Sequence, residues 1–445
     1  MGVRIIQVDL AQPLPTVQTA ADGRRGRNGD GGCDALWLLV KLGPQPIGWV
    51  RFDDPRKFGK EIGPDQLLKL TNDALSREIQ AAAGERAHEP ITLKRTPSFS
   101  IVICTRGGDR DRDRADTALQ RQLASIAKLQ YPSRDYEVIV VDGSGESSAA
   151  ALRGLCAAFP GVRYAHDPRP GINYARNSGW QLARGEIVAY LEVGAIVDPD
   201  WLTALAANYV DPQVDCVTGI ALPREIETPV HEQFARYFCE PRPFRRRVYR
   251  PGTWNTNFPL DAGRFGGGAN LSVSRERLGA MGGFDVALNG AGGVFDVVVR
   301  VLCDGGMVAY DPRAIVFAAA PRSEKDLRAN RFDAACGFVS FGTKYAHHLE
   351  LANHALKLLT RWFRQRAVAT LRWDSLARDM ALAELLGGVA GLGGYRRAMR
   401  RARKDLATFA KRAIRPTELL LRSAPQTPPA PTPARARSRG RKAAA

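Results

Sequence analysis

The sequence predicts an α/β protein: a mostly parallel sheet flanked by helices, with a small α+β module before it and a basic helical extension after it. Three observations carry this. Between residues 96 and 345, short apolar runs alternate with helical patterns, the rhythm of βαβ units. Thr105, Asp142 and Glu192 each close one of those runs, and ligands of such sheets bind beyond the carboxyl ends of the strands. The excess positive charge is gathered at the C-terminus, not spread along the chain.

The elements follow in order. In residues 1–95, the stretches 3–10 and 35–52 have strand-like apolar content, and the second reads as a hairpin turning at 43–46. Residues 66–83 place Leu67, Leu70, Ala74 and Ile79 on one side of an amphipathic helix. No chemistry is visible there, and an accessory or interaction module is expected. In residues 96–345, strands are expected at 99–104, 136–141, 163–165 and 187–191, with helices at 115–129, 147–158 and 174–183. Residues 346–415 read as a helical, increasingly basic extension. Residues 416–445 are Pro/Ala/Arg-rich and read as a disordered tail.

A chain of 445 residues with 44% hydrophobic and 25% charged residues has ample core-building capacity. Its net charge of +18 is local, since residues 396–445 carry 15 Lys/Arg against Asp405 and Glu418. That is +13 of the total, which leaves a mildly basic body. Such a tail attracts phosphate or anionic lipid, and a solvated tail with no dedicated partner is an equal reading. It lacks interleaved aromatics, so no specific nucleic acid is expected. The seven cysteines are scattered and odd in number, with no Cys-x-x-Cys pair, a pattern of neither a zinc site nor a disulfide framework. No run of 18 apolar residues occurs, and the N-terminus lacks a signal-peptide layout. A cytoplasmic location is expected, with peripheral contact at the inner face of the membrane through the basic tail.

Four segments carry a resemblance. They are Phe99-Ser-Ile-Val-Ile-Cys-Thr-Arg106, Tyr136-Glu-Val-Ile-Val-Val-Asp142, Arg169-Pro-Gly-Ile-Asn-Tyr-Ala-Arg-Asn177 and the strand ending at Glu192-Val-Gly194. Their order and spacing resemble the inverting glycosyltransferase family 2 enzymes of the GT-A (Rossmann-like) fold. Further on, Gly268-Ala269-Asn270 and the turn Met281-Gly-Gly-Phe-Asp285 resemble family segments too. The resemblance implies transfer of a sugar from a nucleotide-sugar donor to a hydroxyl acceptor. It implies nucleotide binding by Thr105, Arg106, Asp142, Gly171, Arg176 and Asn177, and a donor/acceptor pocket at Gly268, Ala269 and Asn270. Beside this stand plainer readings: Asp142 before Gly143 is a turn former, and Asn173 is a helix cap.

The sequence departs from that family at three places. The family's Asp-x-Asp motif holds Mn²⁺ or Mg²⁺, and hard cations of this kind need oxygen ligands. Here the triplet keeps only Glu192, since its third position is Gly194; Asp198 reads as the cap of a helix starting at Pro199. The family's catalytic acid pair falls on Gly293 and Val294, which leaves Asp296 as the default general base. The family's metal-binding His after the last strand falls in Phe317-Ala-Ala-Ala-Pro321. A catalytically impaired pseudo-glycosyltransferase, acting as a binding or scaffolding partner, is therefore the alternative to an active enzyme.

Overall fold

The computed structural model describes residues 3–19, 35–85, 89–93, 95–106, 112–144, 146–238, 243–251, 259–260, 268–348, 350–371 and 374–412. The first elements are β1 (Val3–Asp9), β2 (Val17–Gln18), β3 (Ala35–Leu42), β4 (Gln45–Phe52), β5 (Glu61–Ile62) and α1 (Pro64–Gly84). β3 and β4 form the hairpin, which turns at Gly43 with φ of 59°. β1 lies parallel to β3, a pairing the alternation of residues does not specify. Leu67 and Leu75 of α1 complete a core with Leu36, Leu38 and Val40.

The larger sheet begins with β6 (Phe99–Arg106), α2 (Arg112–Ile126), β7 (Tyr136–Gly143), α3 (Glu146–Ala157), β8 (Val162–His166), α4 (Ile172–Leu182) and β9 (Ile187–Glu192). It continues with β10 (Ile196–Val197), α5 (Trp201–Ala206), β11 (Val214–Pro223), α6 (Pro229–Phe238), β12 (Arg247–Tyr249), β13 (Asn270–Ser274), α7 (Arg275–Ala280), α8 (Ala291–Cys303) and β14 (Met307–Ala318). The strand order is β10-β14-β11-β13-β9-β6-β7-β8, with β12 pairing β14. β6, β7, β8 and β9 run parallel. β13 opposes both β9 and β11, and β14 runs with β11. The sheet is thus mostly parallel, as expected for an α/β fold.

Alternation along β6 divides the core. Ile101 and Ile103 pack with Leu119 and Leu123 of α2 on one face. Val102 and Cys104 pack with Ala175 of α4 and with Val297, Val298 and Val301 of α8 on the other. Both faces are covered, as a parallel sheet requires. Four helices follow: α9 (Glu324–Tyr345), α10 (Ala352–Ala369), α11 (Ser375–Leu392) and α12 (Gly394–Arg412). Among the described residues, no helix is long and apolar enough to cross a membrane. The Pro/Ala/Arg-rich tail lies outside the described residues.

The N-terminal sheet is packed onto the large one. Leu39 of β3 is buried with Ile220, Leu222, Tyr310 and Ile315, and Trp37 with Ile226 and Ala235. The Val3 amide donates to the Ile226 carbonyl at 2.9 Å. Lys41 pairs with Asp198 at 3.6 Å. Asp198 is therefore not the cap of a helix at Pro199. The helix begins at Trp201, and the Asp198 carboxylate accepts from the Asp200 amide. Leu39→Ala should lower unfolding free energy by about 2–5 kcal/mol, read as a lower urea midpoint.

Candidate functional site

The carboxyl ends of β6 and β7 meet at Asp142. Its residue is fully buried, and its carboxylate accepts from Thr105 Oγ1 at 2.9 Å, the Ser144 amide at 2.9 Å and the Tyr164 hydroxyl at 2.8 Å. The register brings Thr105 beside Asp142 directly. Burial, followed by the bond to Asp142, pushes the Tyr164 phenol above its ordinary range. Tyr164 thus stays a donor, and the carboxylate is held by protein groups on both oxygens. Arg106 ends β6, and its side chain lies outside the described residues.

The segment after β8 builds a second cluster. Asp167 receives two bonds from Arg169, at 2.8 and 2.7 Å, and one from Ser178 at 2.6 Å. Burial alone would raise the Asp167 pKa, but Arg169 and Ser178 outweigh it and hold it below the usual carboxylate value. Gly171 caps α4 at φ 126°, a conformation that disfavours side chains. Two residues on, Asn173 donates to the carbonyls of Asp285 and Leu288 at 2.8 and 2.6 Å. Arg176 donates to Asn173 Oδ1 at 2.9 Å and the Gly290 carbonyl at 3.2 Å. Its guanidinium also lies 5.3 Å from the Phe284 ring centre.

The third cluster surrounds Gly268. A Cβ there would lie 2.7 Å from Arg176 Nη2, 3.1 Å from Glu192 Oε1 and 3.4 Å from Val294 Cγ2. A guanidinium, a carboxylate and an isopropyl group therefore converge on one point that only glycine leaves open. Glu192 is exposed at the end of β9. The turn after it is fixed by Gln122, which donates to the Glu192 carbonyl at 2.9 Å and accepts from the Gly194 amide at 3.0 Å. Gly194 has φ of 81°, which an aspartate would adopt only under strain. Among the described residues, no group of three or more His, Cys, Asp or Glu side chains could hold a metal ion. Among the described residues, Glu192 supplies the one carboxylate at this point, and a guanidinium reaches the same point.

Three expected site residues are turned elsewhere. Asn177 accepts from the Phe284 amide at 2.7 Å and donates to its carbonyl at 2.9 Å, which ties α4 to the Gly-Gly-Phe-Asp turn. Asn270 donates to the carbonyls of Ile220 and Ala314 and accepts from Trp201 Nε1. Its side chain thus joins β11, β14 and α5. Asp296 is fully buried and accepts from Arg300 at 2.8 Å, Lys344 at 2.5 Å and Tyr345 at 3.0 Å. Its two oxygens are taken up by two cations and a phenol and are buried from any acceptor, so the default-base role does not suit it. Ala269 is buried beside Asn270.

Sequence reasoning missed Asp167, Gln122 and Lys344, and took Asn173 for a helix cap, where the cap of α4 is Gly171. Asp167 lies two residues before the matched segment 169–177 and could have been singled out as a polar residue ahead of a glycine turn. Gln122 and Lys344 carry no local mark, because their partners lie on other elements.

This is the layout of an α/β protein with a polar crevice at the carboxyl ends of its parallel strands. Residues 100–269 match the profile of glycosyl transferase family 2, so this segment is a domain of that family. It is similar to a succinoglycan biosynthesis protein, ExoM, of Rhizobium meliloti (29% identity; 47% of this chain, 65% of that protein). It is also similar to a glucosyl-dolichyl phosphate glucuronosyltransferase of Haloferax volcanii (27% identity; 42% of this chain, 55% of that protein). The chain thus spans just under two thirds of the first relative and about half of the second. A solved mannosyltransferase, PcManGT of Pyrobaculum calidifontis in complex with GDP-Man and Mn²⁺, superposes with a TM-score of 0.42 at 17% identity, over 79% of this chain and 94% of that one.

Two outcomes follow. Asp296→Ala should cost roughly 2–4 kcal/mol in denaturant unfolding, the lower end because Arg300 and Lys344 stay about one-fifth exposed. Asp167 and Asp285 are both held below their ordinary 3.8; for Asp285 burial opposes this and Lys344 outweighs it. Their stabilisation is complete above that value and lost as pH falls below it through the depressed folded values. Urea titrations at stepped pH should show stability falling below about pH 4, with a shallower fall in Asp167→Asn.

Proposed function

We propose that the chain binds a nucleotide-sugar donor at the carboxyl ends of β6, β7 and β9 and transfers the sugar, with inversion, to a hydroxyl acceptor. The acceptor is presented in the cytoplasm near the inner face of the membrane. The observation that carries this reading is the convergence of Arg176 and Glu192 on Gly268, inside a segment belonging to a transferase family. Thr105 stands at the nucleotide end, held there by the buried Asp142, and Gly171 lets the chain turn into α4. Arg176 faces the diphosphate, because a guanidinium fork matches phosphate oxygens.

In such a transfer the acceptor oxygen attacks the anomeric carbon, the bond to the diphosphate breaks, and the acceptor proton must leave. In relatives of this kind a divalent cation neutralises the departing diphosphate; here Arg176 supplies positive charge instead. Val294 and Gly293 occupy the places of the acid pair, so proton removal falls to solvent or to the leaving phosphate. The absence of a positioned base costs about 10²–10⁴-fold. A second reading, a nucleotide-binding partner without turnover, is favoured by the locked state of Asp296.

The test is calorimetric titration with UDP, GDP and dTDP, with Mn²⁺ and with EDTA. One nucleotide should bind about equally under both conditions. Arg176→Ala, with Arg176→Lys as the milder variant, should weaken it by roughly ten-fold or more. Binding of none would sink the reading, and strict Mn²⁺ dependence would mean that a metal site forms after all. Donor hydrolysis or transfer then separates the enzyme from the binding partner.

A further inference from the structure

α11 is built inside out. From Ala381 to Leu392 its one charged residue is Glu384, and that residue is buried, 3.4 Å from Arg331 and 2.9 Å from Arg366. The other buried residues of this stretch are Ala381 and three glycines. A Cβ on Gly387 would lie 2.3 Å from the Phe332 carbonyl oxygen, one on Gly391 2.7 Å from that of Cys336, and one on Gly388 2.5 Å from the Trp362 ring. The outer face carries Leu382, Leu386, Val389 and Leu392, each about half exposed. Their spacing places them on one stripe. Val368 and Leu371, at the end of α10, are exposed at 63% and 80%.

The next helix supplies charge. α12 presents Arg396, Arg397, Arg400, Arg401 and Arg403 to solvent, and no acid occurs in it before Asp405. An apolar stripe bordered by arginines matches an anionic lipid surface, with leucines entering the acyl boundary and guanidinium groups meeting phosphates. A second copy of the chain fits worse, because pairing through this stripe would bring two arginine-rich helices together. We infer that α11 and α12 form a docking face for an anionic bilayer. The face is tied to the crevice: the Tyr395 hydroxyl of α12 donates to Asp285, whose backbone carbonyl accepts from Asn173 of α4. This inference concerns where the crevice works and stands whether or not sugar transfer is its chemistry.

The experiment is co-sedimentation of the full chain with phosphatidylcholine vesicles containing or lacking about one-third phosphatidylglycerol. Binding should require the anionic lipid and weaken with added salt. Leu386→Asp with Val389→Asp should reduce partitioning at least ten-fold; Leu386→Ser with Val389→Ser serves if the acidic pair misfolds, as judged by circular dichroism. Arg400→Glu, Arg401→Glu and Arg403→Glu together should reduce it by about 100-fold. The idea fails if partitioning is equal on pure phosphatidylcholine. It also fails if the leucine variants bind like the parent, because the distal tail then suffices. A third failure is light scattering that shows a dimer broken by the leucine variants, because a second copy then covers the face.

Discussion

The crevice depends on how closely the start of α8 presses against the first turn of α4. Asn173 fills the gap and holds two backbone carbonyls of the loop leading into α8. A Cβ on Gly293 would come within 2.3 Å of its side-chain nitrogen. Beyond it, a Cβ on Gly292 would lie 2.4 Å from the Gly337 carbonyl oxygen of α9. Three helices therefore meet through backbone and a single amide side chain. Because Asn173 also accepts from Arg176, this contact sets the position of the guanidinium in the crevice. A shift in α8 would disturb both the packing and the charge.

Asp296 reinforces the same joint from behind. It lies one turn into α8 and gathers Arg300 from its own helix with Lys344 and Tyr345 from the end of α9. Arg300 in turn donates to the carbonyls of Met281 and Gly283. Lys344 also binds Asp285 at 2.8 Å. Fully buried charges are costly unless each is paired and hydrogen-bonded, and here the pairing is complete. The carboxylate that chain position offered as a base has been recruited to lock α8, the glycine turn and α9 together.

Much of the α/β sheet was legible because parallel strands buried on both faces leave continuous Val/Ile runs, which a period of two does not disguise. The expected strand 99–104 is β6 (Phe99–Arg106), and the expected helix 174–183 is α4 (Ile172–Leu182). The convergence of Arg176, Glu192 and Gly268 was legible only through the resemblance, since nothing local links positions so far apart. The docking of the first unit was not legible. Leu39 looks like any inward strand residue, and its neighbours Ile220 and Tyr310 are assigned by tertiary packing alone. Asn177 and Asn270, expected at the nucleotide and in the donor/acceptor pocket, spend their amides on other elements of the fold: sequence supplies the amide, while the fold decides which groups it satisfies.

Two of the three positions that lack the expected acids are glycines held by their surroundings. Gly194 adopts φ of 81° because Gln122 clamps both ends of its turn, and Gly293 stands where Asn173 leaves no room for a Cβ. An acid at either position would meet backbone strain or displace a buried amide with three hydrogen bonds. Arg176 and Glu192 bear on the same point at Gly268. A guanidinium is fixed in charge and bound to its own helix, so it can neutralise a diphosphate without being recruited from solution. It cannot polarise a bound water or exchange ligands as a cation does. Arg176 thus gives the crevice a fixed positive charge whose position is set by Asn173 and the Gly290 carbonyl.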